Sequence, residues 1–334
     1  MKKTLLALAV LSTFAGTAFA QTSLTIYGSI DGGVRSQTNV DAAGHNKQTV
    51  SSNGTYNSNR LGFKGVEDLG GGMNAHFNLE SGFNSGTGTL DNPAGTLFNR
   101  LTIVGLGGSW GAVDLGRNYT VAFKTIGAYD PLGYKFPGIA LAIPATAGVR
   151  YNNDIQYTGT FGPVTARAEY ALGEQPGDAG FNTSKAIGAS YTQGPISAGA
   201  AYTNRDVAGF DNKHWTVGGA FKFGMGRVAV GYANQKQETA IGIDTKNKWM
   251  WVGVGFAASP ALEITPAYYR NKQEGGAAGA LVGKKDIFML SAAYALSKRT
   301  SLYALIDQAR LEDALLAFGH DRQRDIAVGV NHNF

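Results

Sequence analysis

The sequence predicts an all-β fold, a transmembrane antiparallel 16-stranded β-barrel with a long third loop folded into the pore. Three observations predict it. A secretion signal opens the chain. Short segments of alternating apolar and polar residues then recur to the last residue, coupled in pairs by tight turns. From 118 to 149 the alternation stops, in a stretch too apolar to be a solvated flap.

The signal comes first. Lys2 and Lys3 supply the charged start, 5–14 the apolar core, and Ala18-Phe19-Ala20 the small-residue cleavage pattern. Residues 1–20 are therefore expected to be removed, leaving 21–334 as one barrel domain. The apolar core is too short to cross a bilayer, and no later stretch supplies the ~18 apolar residues a spanning helix needs. With no cysteine there is neither a disulfide framework nor a thiolate metal site, and no cofactor is expected. The 29 basic and 24 acidic residues are scattered, which speaks against a nucleic-acid partner. Pro and Gly interrupt nearly every window long enough for a helix.

The alternation begins at Ser23-Leu24-Thr25-Ile26-Tyr27-Gly28, with Leu24 and Ile26 on one face and Ser23, Thr25 and Tyr27 on the other. Seven hairpins follow. Segments 60–69 and 73–83 flank Gly70-Gly71-Gly72; 98–109 and 112–117 flank Trp110-Gly111; 150–160 and 164–172 flank Phe161-Gly162-Pro163. Further on, 184–193 and 196–205 flank Gly194-Pro195; 213–223 and 227–237 flank Gly224-Met225-Gly226; 248–258 and 261–270 flank Ser259-Pro260; 286–296 and 300–309 flank Ser297-Lys298-Arg299. Gly, Pro and small polar residues at these bends are turn chemistry. The last segment, 325–334, aligns Ile326, Val328, Val330, His332 and Phe334.

Between hairpins the connections are longer and more polar, as at 37–59, 84–97, 174–183, 238–246 and 271–285. Short turns at one rim and long loops at the other are the asymmetry of transmembrane barrels. One whole face of most strands is polar, so the interior must hold water, which suits about sixteen strands. A water-soluble β-sandwich would not use so many strands, and no linker divides the chain into several.

The stretch 118–149 is the third long connection. Val121, Phe123, Ile126, Tyr129, Phe136, Ile139, Leu141 and Ile143 need a surface to pack on, and Asp130 is its one acidic residue. A loop this long is usually functional. Folding into the barrel mouth, where it narrows the pore, satisfies both demands.

Ser23-Leu24-Thr25-Ile26-Tyr27-Gly28, Arg60-Leu61-Gly62-Phe63-Lys64-Gly65 with Glu67-Asp68-Leu69-Gly70, Leu115-Gly116-Arg117 and the terminal Gly329-Val330-Asn331-His332-Asn333-Phe334 fall in order along the chain. Together they resemble the Gram-negative general diffusion porins, in particular their β-proteobacterial branch. The resemblance implies a homotrimer of sixteen-stranded barrels in the outer membrane, among lipid and lipopolysaccharide, passing small hydrophilic solutes and anions.

Period two assigns the faces. Leu61 and Phe63 outward put Arg60 and Lys64 inward; Ala75, Phe77 and Leu79 outward put His76, Asn78 and Glu80 inward. Leu101 and Ile103 outward put Arg100 inward; Tyr151, Ile155 and Tyr157 outward put Arg150, Asn152, Asp154 and Gln156 inward; Ala166, Ala168 and Tyr170 outward put Arg167 and Glu169 inward. An arginine facing lipid at the midplane would cost ~2–4 kcal/mol. The resemblance implies that Arg60, Arg100 and Arg150 form a basic cluster at the constriction, with Glu80 and Asp130 as acidic partners. Lys64 belongs to the same group, while Lys124 and Lys135 on the loop disturb a clean division of charge. Such a ring sets a transverse field that a low-dielectric wall focuses. Passive flow with a mild anion preference is expected. The competing role for these arginines is to pair with Glu80, Asp154 and Glu169 and hold the wall. Strand-end aromatics, including Tyr27, Tyr119, Tyr157, Tyr170, Tyr202, Trp215, Phe223, Tyr232, Tyr268 and Tyr294, fit girdles at the two interfaces.

Two other function classes fit less well. A substrate-specific channel would conduct saturably, and loop geometry decides that. A barrel enzyme would need a nucleophile beside a base, yet the chain has no GxSxG or HExxH motif, and His76 is the one inward histidine near a carboxylate.

Overall fold

The computed structural model describes residues 23–50, 52–239, 243–276 and 281–334; the expected leader, 1–20, lies outside the described residues. The chain runs β1 (Ser23–Gln37), β2 (Lys47–Val50), β3 (Arg60–Gly70), β4 (Met73–Gly82), β5 (Leu101–Gly108), β6 (Gly111–Tyr119), a short helix α1 (Val121–Ile126) and β7 (Arg150–Phe161). It continues with β8 (Val164–Ala171), β9 (Ser184–Gln193), β10 (Ile196–Val207), β11 (Phe210–Phe223) and β12 (Gly226–Gln237). The last five are β13 (Thr245–Ala257), β14 (Leu262–Gly275), β15 (Gly283–Ala295), β16 (Thr300–Asp313) and β17 (Arg322–Asn333).

From β3 onward each strand pairs antiparallel with the next. β1 then joins the two ends, pairing with β3 from Ser23 to Ser29 and with β17 from Ser29 to Gln37. Gly28 and Phe334 exchange backbone hydrogen bonds at that seam. Among the described residues the closed barrel therefore has sixteen strands, and β2 is an extra four-residue strand laid on the end of β1. Closure matters physically, because an open edge in hydrocarbon would strand unpaired N–H and C=O groups.

Beyond Ser29 the wall at β1 is completed by loop 52–59. The buried Asp31 carboxylate accepts from the backbone N–H of Thr55, Tyr56 and Asn57 at 3.1–3.2 Å and from the Tyr303 hydroxyl at 2.8 Å. Asp31 N–H donates to Asn59 Oδ1 at 2.6 Å.

The two faces divide as period two requires. Leu61, Phe77 and Val328 are exposed on the outside, whereas Glu80 and Asn331 are buried on the inside. In water such an apolar band would forfeit ~1.5–3 kcal/mol for each large side chain left uncovered; in acyl chains it is matched to its surroundings.

Three sequence expectations are corrected. In β5, Val104 and Leu106 face out while Leu101 and Ile103 pair with Glu80 and Asn78 on the inside. Arg100 still turns inward, because it precedes the strand and is held to Glu80 by its own N–H. In β7, Asn153 has a positive φ and the register shifts between Gly116 and Asn118, so Tyr151 is buried and Asn152 is exposed beside Arg117. The connection between β10 and β11 is a tight turn, with Ala208 and Gly209 both at positive φ, a hairpin geometry that glycine eases.

Candidate functional site

The segment after β6 is held from its first residue. Thr120 caps α1, its hydroxyl accepting from Phe123 N–H at 3.2 Å, and Val121 N–H donates to Glu169 on β8 at 3.0 Å. The helix and the residues after it lie in a furrow of glycines. A Cβ on Gly188, Gly199, Gly218 or Gly253 would come under 3.0 Å from Val121, Thr125, Tyr129 or Pro131 respectively. Tyr129 is fully buried there; its ring stacks on Trp251 at 6.0 Å and its hydroxyl bonds Thr216 at 2.9 Å. Arg227 donates to the carbonyls of Ala128 and Asp130.

Farther on, Phe136 N–H donates to the Tyr56 carbonyl at 2.9 Å, and Tyr56 stacks on Tyr303 of β16. The loop thus touches β8 to β14 through one end and β16 through the other, a reach open only to a segment inside the barrel.

Beside the loop is a cavity of about 490 Å³. Arg60, Arg100 and Arg150 line it from the wall and Lys135 from the loop, with Asp91 as an acid. Glu80 adjoins it. Arg100 Nε donates to Glu80 Oε1 at 2.6 Å, and Arg60 lies 3.9 Å from Oε2. Tyr119 brings the arginines together, its hydroxyl accepting from Arg100 at 2.9 Å and Arg150 at 2.7 Å. Its ring begins a stack with Phe123 (4.7 Å) and Tyr134 (4.1 Å from Phe123), which fixes Tyr119 against the loop.

Arg150 and Lys135 have no ion pair among the described residues. Arg150 rests on Tyr119 and Lys135 lies 4.9 Å from the centroid of the Tyr56 ring. Burial, with Arg60 nearby, moves the Lys135 ammonium below the ordinary lysine range.

The structure therefore groups Arg60, Arg100, Arg150 and Glu80 and sets the other two expected members apart. Lys64 is exposed on the inner face, 5.4 Å from the centroid of the Tyr27 ring, and does not line the cavity. Asp130 is fully buried between loop and wall, accepting from Tyr134 N–H at 2.6 Å and the Tyr269 hydroxyl at 3.2 Å. Burial pushes its carboxyl up to about 6. It anchors the loop instead of facing the arginines.

Lys124 has a similar anchoring part: its ammonium donates to Gln156, which in turn donates to Glu169 and Asp154. The wall acids Asp154 and Glu169 thus hold the loop, and only Arg100 is tightly engaged in the ion-pair role weighed for the arginines. Tyr27 and Tyr119, expected in the girdles, point inward, with Tyr27 donating to Asn78 and Glu80.

A family model described as Gram-negative porin matches residues 7–314. The chain is 31% identical to an outer membrane porin protein of Bordetella pertussis and 32% identical to outer membrane porin protein 32 of Delftia acidovorans, each alignment covering all of both chains. Among solved structures, an anion-selective porin from Comamonas acidovorans superposes with a TM-score of 0.81 at 27% identity, over 94% of this chain and all of that one. OmpT of Vibrio cholerae, in a trimer form, matches with a TM-score of 0.73 at 14% identity, over 94% of this chain and 99% of that one, which speaks to fold alone.

Proposed function

The chain belongs to the Gram-negative porin family, and on that premise we propose that the cavity beside the loop is the constriction of its channel. The protein is an outer-membrane porin, a multi-pass β-barrel. In the proposed reading small hydrophilic solutes and ions diffuse passively past Arg60, Arg100, Arg150 and Lys135, and anions pass more readily than cations. No chemical step is assigned to it, and three such barrels assemble into a homotrimer.

One observation carries the selectivity. Four cations line the cavity, and two of them, Arg150 and Lys135, have no carboxylate partner to cancel their charge. Arginine stays protonated even beside its neighbours, and the low-dielectric wall focuses the resulting field. The stacked rings and the glycine furrow hold the loop in place, so the field keeps a fixed geometry.

The reversal potential of purified protein in a planar bilayer under a salt gradient tests this. An anion-selective sign is expected; a cation-selective sign overturns it. Conductance that saturates with one solute would instead mark a dedicated binding site.

A further inference from the structure

The cavity beside the loop has two unlike sides. The four cations make one side basic, whereas Phe123, Tyr134, Ile143 and Val149 make the other apolar. These four apolar residues are only half-buried, although the same loop packs Ile126, Tyr129 and Phe136 away completely against the wall. Charge selection alone gives such an apolar side no part to play.

Arg150, Tyr119, Phe123 and Tyr134 form one column along that cavity. The guanidinium lies 4.3 Å from the Tyr119 centroid. Tyr119 and Phe123 are 4.7 Å apart with an interplanar angle of 11°, and Phe123 and Tyr134 are 4.1 Å apart at 6°. Both faces of Phe123 are therefore covered by rings, so what it presents to the cavity is its edge. The column is pinned at both ends. Tyr119 belongs to β6, while Tyr134 donates its hydroxyl to the Phe123 carbonyl at 2.6 Å and its backbone N–H to the buried Asp130. A ring edge carries partial positive charge and prefers the negative face of another ring.

We infer that this cavity selects aromatic carboxylates, with the acid group bonded directly to the ring, over aliphatic anions of the same charge and similar size. The carboxylate goes to Arg150, which has no ion pair among the described residues; guanidinium forks suit carboxylate oxygens. The attached ring then lies along the column with its face against the Phe123 edge. This rests on the constriction reading and gives that constriction a preferred solute. An aliphatic acid meets the same cations and the same apolar surface, but it has no π face to set against the edge. A neutral aromatic solute finds the edge and leaves the cations unused. Because the rings are already fixed, the contact costs little ordering. A single contact of this kind is weak, so the solute leaves again and passage stays diffusive.

The test measures bi-ionic reversal potentials of the purified protein in planar bilayers at neutral pH. Chloride is on one side, and benzoate, cyclohexanecarboxylate or pentafluorobenzoate on the other. Benzoate is expected to permeate about twofold to tenfold better than cyclohexanecarboxylate, the range that one edge-to-face contact supplies. Pentafluorobenzoate, whose ring face is positive where that of benzoate is negative, should fall behind benzoate. In Phe123→Leu, which keeps an apolar side chain and removes the edge, both ratios should approach one. Equal passage of benzoate and cyclohexanecarboxylate in wild type overturns the inference. So does pentafluorobenzoate passing as readily as benzoate, or a variant that keeps the wild-type ratios. The wild-type comparison stands without the variant, whose conductance in potassium chloride shows whether its pore is still open. The potential in a sodium chloride gradient reads the constriction separately. A cation-selective sign sinks the constriction reading, whereas an anion-selective sign with equal passage of benzoate and cyclohexanecarboxylate sinks this inference alone.

Discussion

The guanidinium of Arg150 lies 4.3 Å from the centroid of the Tyr119 ring and also donates to that residue's hydroxyl at 2.7 Å. Arg100 donates to the same oxygen, so one phenol holds two like charges side by side without a carboxylate between them. Tyr119→Phe keeps the stack with Phe123 and removes the shared acceptor. We expect the arginines to separate, anion preference to weaken while keeping its sign, and stability to drop by about 1–3 kcal/mol. Reversal potential and denaturant unfolding check the two parts.

The arginines should not contribute equally. Glu80 cancels most of Arg100 at 2.6 Å, whereas Arg150 has no carboxylate partner. Arg150→Gln should therefore reduce anion preference more than Arg100→Gln. Glu80→Gln should raise anion preference while destabilising the barrel by about 3–5 kcal/mol, because a buried guanidinium loses its counter-charge. Zero-current potentials and thermal midpoints of the three variants decide it.

Lys135 differs from the arginines in being able to lose its charge. Its ammonium titrates below the ordinary lysine range because it is buried. Anion preference in wild type should fall as pH is raised into the alkaline range, while Lys135→Met should start lower and stay flat. Reversal potentials measured across a pH series would show whether the two curves differ.

Gly218 accommodates the ring of Tyr129, and a methyl there would overlap it. Gly218→Ala should cost about 1–3 kcal/mol in overpacking and displace the loop toward the lumen, lowering single-channel conductance without reversing selectivity. Adding Tyr129→Ala should restore part of the conductance, and a double-mutant cycle measures that coupling.

Asp130 gives the loop a pH dependence. Its carboxyl is pushed from an ordinary value near 3.8 up to about 6 by complete burial. Below 3.8 both the folded and unfolded chains carry the proton and the group contributes nothing. Between the two values the unfolded chain ionises first, and above 6 the folded state bears the full penalty, about 3 kcal/mol. The barrel should thus gain stability as pH falls from 7 toward 4 through this group, and Asp130→Asn should flatten that gain. Thermal midpoints of both proteins between pH 4 and 8 measure it.

How far the sequence could be read follows from how local each signal is. Period two is local, so the strands, their turns and the count of sixteen were legible. It failed in β5, where apolar residues occupy both parities at Leu101, Ile103, Val104 and Leu106. It failed again at Tyr151, where a bulge and the left-handed Asn153 change the parity within the strand. The aromatic stack was not legible, because the side of the wall that Tyr119 occupies is set by Phe123 and Tyr134 on the loop. Asp130 was misplaced for a similar reason: its partner Tyr269 is 139 residues away. The helix α1 was missed although it carries a local cue, Thr120 in capping position ahead of six helical residues.

Among the described residues every joint in the wall but one links strands that follow one another around the sixteen, β2 set aside. The exception is where β1 meets β17, tied among other contacts by Arg35 and Asp325, 290 positions apart and 2.6 Å from each other. Bringing such distant segments together has the largest closure entropy of any joint, and β1 is also the strand whose other edge is shared between β3, a loop and β2. The cylinder consequently has a hatch. If the wall yields, it should yield there, leaving a curved sheet with two raw edges in a solvent that cannot hydrogen-bond either of them.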